Sequence, residues 1–299
     1  IKALSDKFNS PISLLVKENS KADQFLHQTN YIDKILFLER DNKLSNRHSG
    51  FFGSLNLIKE IRKYKFDKII IFNSSLRFYL IAMFSGIPKI YQYPLFKKTR
   101  QHITDTPKKF IKEKLNLEVN DDPEVQVDDS LVLKSIEKFQ LKKNELNILL
   151  GVGGSGPTKR IPAKIFLEVI EKISNIKKCK FFLATGKDYE EQTILKEILE
   201  SKFKNLCLPL DNFSIKETLP IIKNCDLSIC NDSSFSHLSS ALGIKTITLM
   251  ADTPLIYGNY SSKMFPIIPD GQNTVVHNTL GKEKINPQKI FEKIIEIIN

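Results

Sequence analysis

Asn147-Ile-Leu-Leu-Gly-Val-Gly-Gly-Ser-Gly-Pro157 carries the clearest architectural signal in the chain. A short apolar run, too brief for a helix, breaks into a glycine-rich turn. Beyond it, Ile165, Phe166, Val169, Ile170 and Ile173 recur at the spacing of one helical face. Pro162 suits the first turn of that helix, where its missing N–H costs nothing. Strand, turn and amphipathic helix make half of a β/α unit, and the rhythm continues downstream. Strands are expected at 180–184, 206–208, 227–230 and 246–250, and helices at 189–199, 214–224, 234–242 and 287–298. Ser214 and Glu217 have the spacing of a capping box, and Gly243 stops the helix before it.

Upstream the same alternation is fainter. Residues 12–16, 35–38, 68–72 and 89–91 read as strands, and 20–28, 55–64 and 76–85 as helices. Between 94 and 143 the rhythm weakens into a basic run (Lys97, Lys98, Arg100, Lys108, Lys109, Lys112, Lys114) and an acidic patch (Asp121, Asp122, Glu124). Strands alternating with helices imply an α/β fold, with parallel strands and helices on both sheet faces. The expectation is two Rossmann-like, doubly wound domains facing a cleft, one over 1–142 and the other over 143–299. A chain of 299 residues has room for two such cores.

Composition excludes more than it assigns. Hydrophobic content of 41% is ordinary for a globular protein, and no run approaches the roughly 20 apolar residues of a membrane span. No signal-peptide order is visible at the start, so a cytoplasmic protein is expected. The four cysteines (Cys179, Cys207, Cys225, Cys230) include no CxxC pair, and His237 beyond Cys230 does not complete a zinc spacing. No metal site and no cofactor are expected. The charge of +11 fits either phosphate-rich partners or lysine-decorated solvated faces. No basic–aromatic interleaving supports nucleic-acid binding.

Three loops follow strands of the second half, at the edge where open α/β sheets bind ligands. The first, 151–159, offers backbone at Gly154, the Ser155 hydroxyl and the Lys159 ammonium. It is either a phosphate cradle or an ordinary tight turn. In the second, Glu190 and Glu191 either take ribose hydroxyls or sit as first-turn carboxylates favoured by the helix dipole. The third, Asn231-Asp-Ser-Ser-Phe-Ser-His237, puts Asp232, Ser233 and Ser234 at a helix start, with His237 one turn inside. These residues either cap the helix or hold a diphosphate on its free N–H groups.

At these loops the sequence resembles glycosyltransferase family 9, the lipopolysaccharide heptosyltransferases. Asp232-Ser-Ser-Phe-Ser-His-Leu-Ser-Ser-Ala-Leu-Gly243 is similar to the family's C-terminal signature. Ala251-Asp-Thr-Pro254 stands where the family has a Gly-Pro-Thr-Asp-Pro-like turn. Gly153 through Pro162 looks like its loop ending in Lys-x-Trp-Pro, with no tryptophan here. Gly186 with Glu190 and Glu191 resembles its Gly-x-x-x-Glu segment.

The resemblance implies a GT-B fold and inverting, metal-independent transfer of a sugar, heptose by analogy, from a nucleotide diphosphate. Lys159 and Ser155 would contact the donor's phosphates or sugar, and Glu190 or Glu191 the nucleoside. Asp232 would hold the sugar, with Ser233, Ser234 and His237 along the diphosphate. The implied partners are an ADP-heptose-type donor, a phosphorylated glycolipid acceptor and a peripheral contact with the inner membrane. The family's general base lies on a loop after its first strand. This chain starts on the helix after that loop, so the base is expected in a preceding segment. Two other readings share the loops: a GT-B nucleotide-sugar epimerase, and a non-catalytic nucleotide-sugar-binding protein.

Overall fold

The computed structural model describes residues 1–40, 46–95, 103–142 and 144–299. Two units are distinguished, one of residues 1–23 and 30–120, the other of 24–29 and 121–299. In the first unit the strands form two parallel pairs. β1 (Ile12–Lys17) lies beside β2 (Ile32–Leu38), and β3 (Lys68–Ile71) beside β4 (Lys89–Gln92). Helix α1 (Lys2–Phe8) precedes the strands, and α2 (Ala22–Leu26, which straddles the division), α3 (Gly50–Tyr64), α4 (Leu76–Phe84) and α5 (Asp105–Leu115) intervene or follow. Leu57 and Ile61 of α3 and Ile81 and Ala82 of α4 close a core over Leu38 and Ile71.

In the second unit the first helix after residue 121 is α6 (Asp129–Phe139), where the sequence rhythm is weak. Its Asp128 cap accepts from the Ser130 N–H at 2.7 Å. α6 is tied to α9 (Ile215–Lys223): the Ser135 hydroxyl donates to the Pro220 carbonyl at 3.1 Å, and the Asn224 amide to Ser135 at 2.6 Å. That attachment is why the units divide before α6, ahead of the boundary expected at 142/143.

Six parallel strands follow: β5 (Leu146–Gly151), β6 (Cys179–Ala184), β7 (Cys207–Pro209), β8 (Leu227–Asn231), β9 (Lys245–Leu249) and β10 (Met264–Ile267), in the spatial order β10-β9-β8-β5-β6-β7. The pleat sends Ile148 and Leu150 to one face, where α7 (Ala163–Ser174), α8 (Tyr189–Leu199) and α11 (Pro287–Ile298) cover them. Leu149 and Phe182 face the other side, toward α6, α9 and α10 (Ser234–Ala241). Burial on both faces explains why β5 reads as an unbroken apolar run. Strand order reverses at β5, which has β6 on one side and β8 on the other. The crevice of a doubly wound sheet opens at that point, outside the carboxyl ends of the strands.

Candidate donor site

Asn231, the last residue of β8, is fully buried, and its amide donates to the Val152 carbonyl at 2.8 Å. This bond ties the end of β8 to the loop after β5, so the two segments flanking the reversal are held as one piece. From the β5 side the loop tightens into a 3-10 turn, Pro157–Lys159, whose last residue points back over the strand ends. The Lys159 ammonium donates to Asp232 Oδ2 at 2.7 Å. Asp232 is 5% exposed and Lys159 24%, so the pair sits partly out of water, where each charge depends on the other.

Asp232 leads directly into α10. Ser233 is its extended N-cap, at φ −149° and ψ 172°, yet the side chain caps nothing. The Ser233 Oγ is buried and has no hydrogen-bond partner among the described residues. Ser234, the first helical residue, is exposed. The opening turn of α10 therefore offers N–H groups that no helical carbonyl can take, beside an idle hydroxyl. Thr185 Oγ1 after β6 and Thr253 Oγ1 after β9 are also buried and unpartnered at this edge. Ser228, near the start of β8, and Ser239, inside α10, share that state away from the carboxyl edge, so what matters for a ligand is position along the edge.

His237 completes the cluster from inside α10. Its Nε2 lies 3.9 Å from Asp232 Oδ1, and its Nδ1 is joined to the Tyr260 hydroxyl at 2.7 Å, the two rings stacked at 5.6 Å. Burial holds His237 below the usual imidazole range; Asp232 opposes that shift and Lys159 adds to it. Burial, with Asp232 and Asp122 nearby, pushes Tyr260 up to about 12. Near neutral pH the pair is a neutral imidazole against a protonated phenol.

The expected nucleoside carboxylates separate. Glu191 is buried, and its Oε1 accepts from the Gly154 N–H at 2.6 Å. A Cβ on Gly153 would lie 2.7 Å from that same oxygen, and one on Gly186 would collide with Oε2. These glycines make room for a carboxylate of the protein itself. Glu190 lies at the surface and accepts from Arg160 at 2.6 Å; Arg160 also reaches Asp188 at 2.8 Å and the Gly154 carbonyl at 3.0 Å. The Gly154 backbone is thus engaged at both N–H and carbonyl, while Ser155 is exposed.

Of the sequence-derived residues, Lys159, Asp232 and His237 come together directly, with Ser233 and Ser234 at the same helix start. Arg160 and Tyr260 were missed as site residues. Arg160 could have been flagged by its place next to Lys159. Tyr260 sits in a polar loop with no periodic signal and meets His237 only through tertiary structure. Of the basic run, Lys97, Lys98 and Arg100 lie outside the described residues. In α5, Lys112 pairs with Glu118 and Lys109 lies 3.9 Å from Glu113.

The model of glycosyltransferase family 9 (heptosyltransferase) matches residues 54–294. Lipooligosaccharide heptosyltransferase 2 of Campylobacter jejuni is 27% identical over 306 residues, covering 95% of this chain and 93% of its own. Lipopolysaccharide heptosyltransferase 1 of Campylobacter coli is 32% identical over 176 residues, 56% of this chain and 50% of its own. The solved ADP-heptose lipopolysaccharide heptosyltransferase II of E. coli superposes with a TM-score of 0.72 at 17% identity, covering 99% and 92% of the two chains. That likeness gives the fold as GT-B, as the sequence implied. With the family model spanning α3 to α11 on this fold, the chain belongs to glycosyltransferase family 9, the heptosyltransferases.

Proposed function

We propose that this glycosyltransferase moves a heptose from ADP-heptose to a phosphorylated acceptor of the lipopolysaccharide-core type, with inversion and without a metal ion. The observation that carries the reading is the Lys159–Asp232 pair beside the open first turn of α10, at the strand-order reversal. A nucleotide sugar brings both a diphosphate for Lys159 and hydroxyl donors for Asp232. Free N–H groups, a helix dipole and one ammonium are the donors that stabilise charge as a diphosphate leaves. They can do so without a metal ion. The family's heptosyltransferase members supply the sugar, and the E. coli neighbour's ADP-heptose supplies the nucleotide.

In this scheme the acceptor oxygen forms a bond to the anomeric carbon as the bond from that carbon to the diphosphate oxygen breaks. ADP departs toward Lys159 and α10, and the acceptor's proton passes to a base. Asp232, already ion-paired, keeps the role of orienting sugar hydroxyls. His237, neutral and held by Tyr260, lies beside the diphosphate as a hydrogen-bonding group. The test is transfer to a phosphorylated lipopolysaccharide-core acceptor in the presence of EDTA, with the product's anomeric configuration read by NMR. Inverted product with EDTA present supports the proposal. Retained configuration or loss of activity on chelation contradicts it. Release of a free or isomerised sugar without acceptor would point to the epimerase reading.

A further inference from the structure

Tyr260 lies in the loop between β9 and β10, on a stretch fastened at both ends. On its C-terminal side a single carboxylate oxygen, Asp122 Oδ2, takes three bonds within the second unit. It accepts from the Ser261 hydroxyl at 2.9 Å, the Ser262 N–H at 2.8 Å and the Ser262 hydroxyl at 2.8 Å. Donors on a charged acceptor make strong bonds, so this clasp holds the backbone next to Tyr260. On the N-terminal side Gly258 passes so near Met250 that a Cβ there would collide with the Met250 sulfur. Only Asn259 and Tyr260 lie between the two anchors. The phenol is thereby brought to His237, its ring stacked on the imidazole and its hydroxyl 2.7 Å from Nδ1. The imidazole is 36% exposed, so the pair does not simply fill the core.

A neutral imidazole carries one proton, and the nitrogen that holds it decides what the ring offers a ligand. Two arrangements satisfy the Tyr260 contact. In one the hydroxyl donates to Nδ1 and the proton sits on Nε2. In the other Nδ1–H donates to the phenol oxygen and Nε2 presents a lone pair. Nε2 lies 3.9 Å from Asp232 Oδ1. A lone pair there would oppose the carboxylate, whereas an N–H is attracted to it. Lys159, the cation near the ring, is bound to the other oxygen of that carboxylate and disfavours a second proton on the imidazole. The first arrangement is the one these neighbours select. Tyr260, pushed up to about 12, keeps a proton to donate throughout the neutral range. With Nδ1 taken, Nε2–H is an uncharged donor at the opening turn of α10, where the Ser233 hydroxyl is also idle. A departing diphosphate is stabilised by such a donor and repelled by a lone pair.

We propose that Tyr260, held through its loop by Asp122, is a positioning residue that fixes His237 as the Nε2–H tautomer and so aims a neutral hydrogen-bond donor at the leaving diphosphate. The proposal deepens the donor-site reading above and rests on it. Two-bond proton–nitrogen correlation spectra of the full chain with isotope-labelled histidine show which ring nitrogen carries the proton, with no donor or acceptor present. The chain has five histidines, and the spectrum of His237→Ala identifies the signal of interest. The expected result is a proton on Nε2 of His237, and a tautomer average in Tyr260→Phe, which keeps the ring and removes only the hydroxyl. In transfer assays Tyr260→Phe should lower kcat about tenfold and leave the donor KM within about twofold, because the bond counts most as charge develops. Asp122→Asn should act in the same direction but less. Since Tyr260 works through His237, Tyr260→Phe should add little to the loss in His237→Ala. Thermal unfolding with the ADP-sugar separates the two readings. No stabilisation of the wild-type chain would remove the donor site and this proposal with it. Equal stabilisation of wild type and Tyr260→Phe leaves the donor site standing. The positioning role is then overturned by a proton on Nδ1, a spectrum or kcat that Tyr260→Phe leaves unchanged, or an undiminished Tyr260→Phe effect in His237→Ala.

Discussion

Lys159 and Asp232 are the pair on which the proposed donor site depends. Lys159→Ala removes the ammonium and leaves a carboxylate that is 5% exposed without its partner. Such a change costs about 3 kcal/mol or somewhat less where one partner reaches solvent. Thermal unfolding of Lys159→Ala should therefore show a clear drop, and Asp232→Asn a smaller one, because the amide can still accept from Lys159. Their neighbour His237 gives a pH signature. Its folded pKa is held below the free value of 6.5, so its contribution to stability is present above that pH. As pH falls through that value the unfolded chain gains a proton that the folded one refuses, and stability declines. His237→Gln should flatten that decline in a series of unfolding curves between about pH 7.5 and pH 5. At this scale the sequence was readable wherever a polar residue directly followed an apolar strand, as with Asp232. It could not divide labour between Glu190 and Glu191. Adjacent helical residues point different ways, and only the packing of Gly153 and Gly186 makes the Glu191 position an interior one.

The elements were legible in proportion to how fully they are buried. β5, α7 and β8 have continuous apolar runs or one strong face, and α8 and α11 fall where their periodicity places them. α9 begins with the capping box anticipated from Ser214 and Glu217, with both reciprocal bonds formed. Ser214→Ala should lower stability by about 1 kcal/mol in denaturant titration. α5 and α6 escaped notice because each is mostly exposed: Phe110 and Ile111 anchor one, and Phe139 is the main buried apolar residue of the other. β10, only Met264–Ile267 and interrupted by Pro266, gives no readable pattern and joins the sheet at its edge. The loop between β5 and α7 makes the sharpest element-scale prediction. Gly153→Ala would drive a methyl group against Glu191 and Thr185, so it should displace the loop and weaken nucleotide binding more than it lowers the unfolding midpoint.

Over the whole molecule, chemistry and charge are partitioned. The second unit is electrically balanced and holds the Lys159–Asp232–His237 cluster; the first carries the entire surplus of positive charge. Net charge was visible in the sequence, but its assignment to one unit required the division at Asn120, which local patterns did not mark. Raising ionic strength from about 0.05 M to about 0.5 M, which screens exposed charges beyond a few ångströms, should weaken nucleotide-sugar binding at the partly sheltered Lys159 only modestly.

Thermal unfolding of the full chain titrated in parallel with ADP-, UDP-, GDP- and CMP-sugars tests the central claim most directly. It reads binding alone and so does not depend on the acceptor or on the base. The account predicts a rise in midpoint selective for the ADP-sugar, lost in Asp232→Ala and Lys159→Ala. A folded chain that responds to none of the four, or responds equally in both variants, would contradict it.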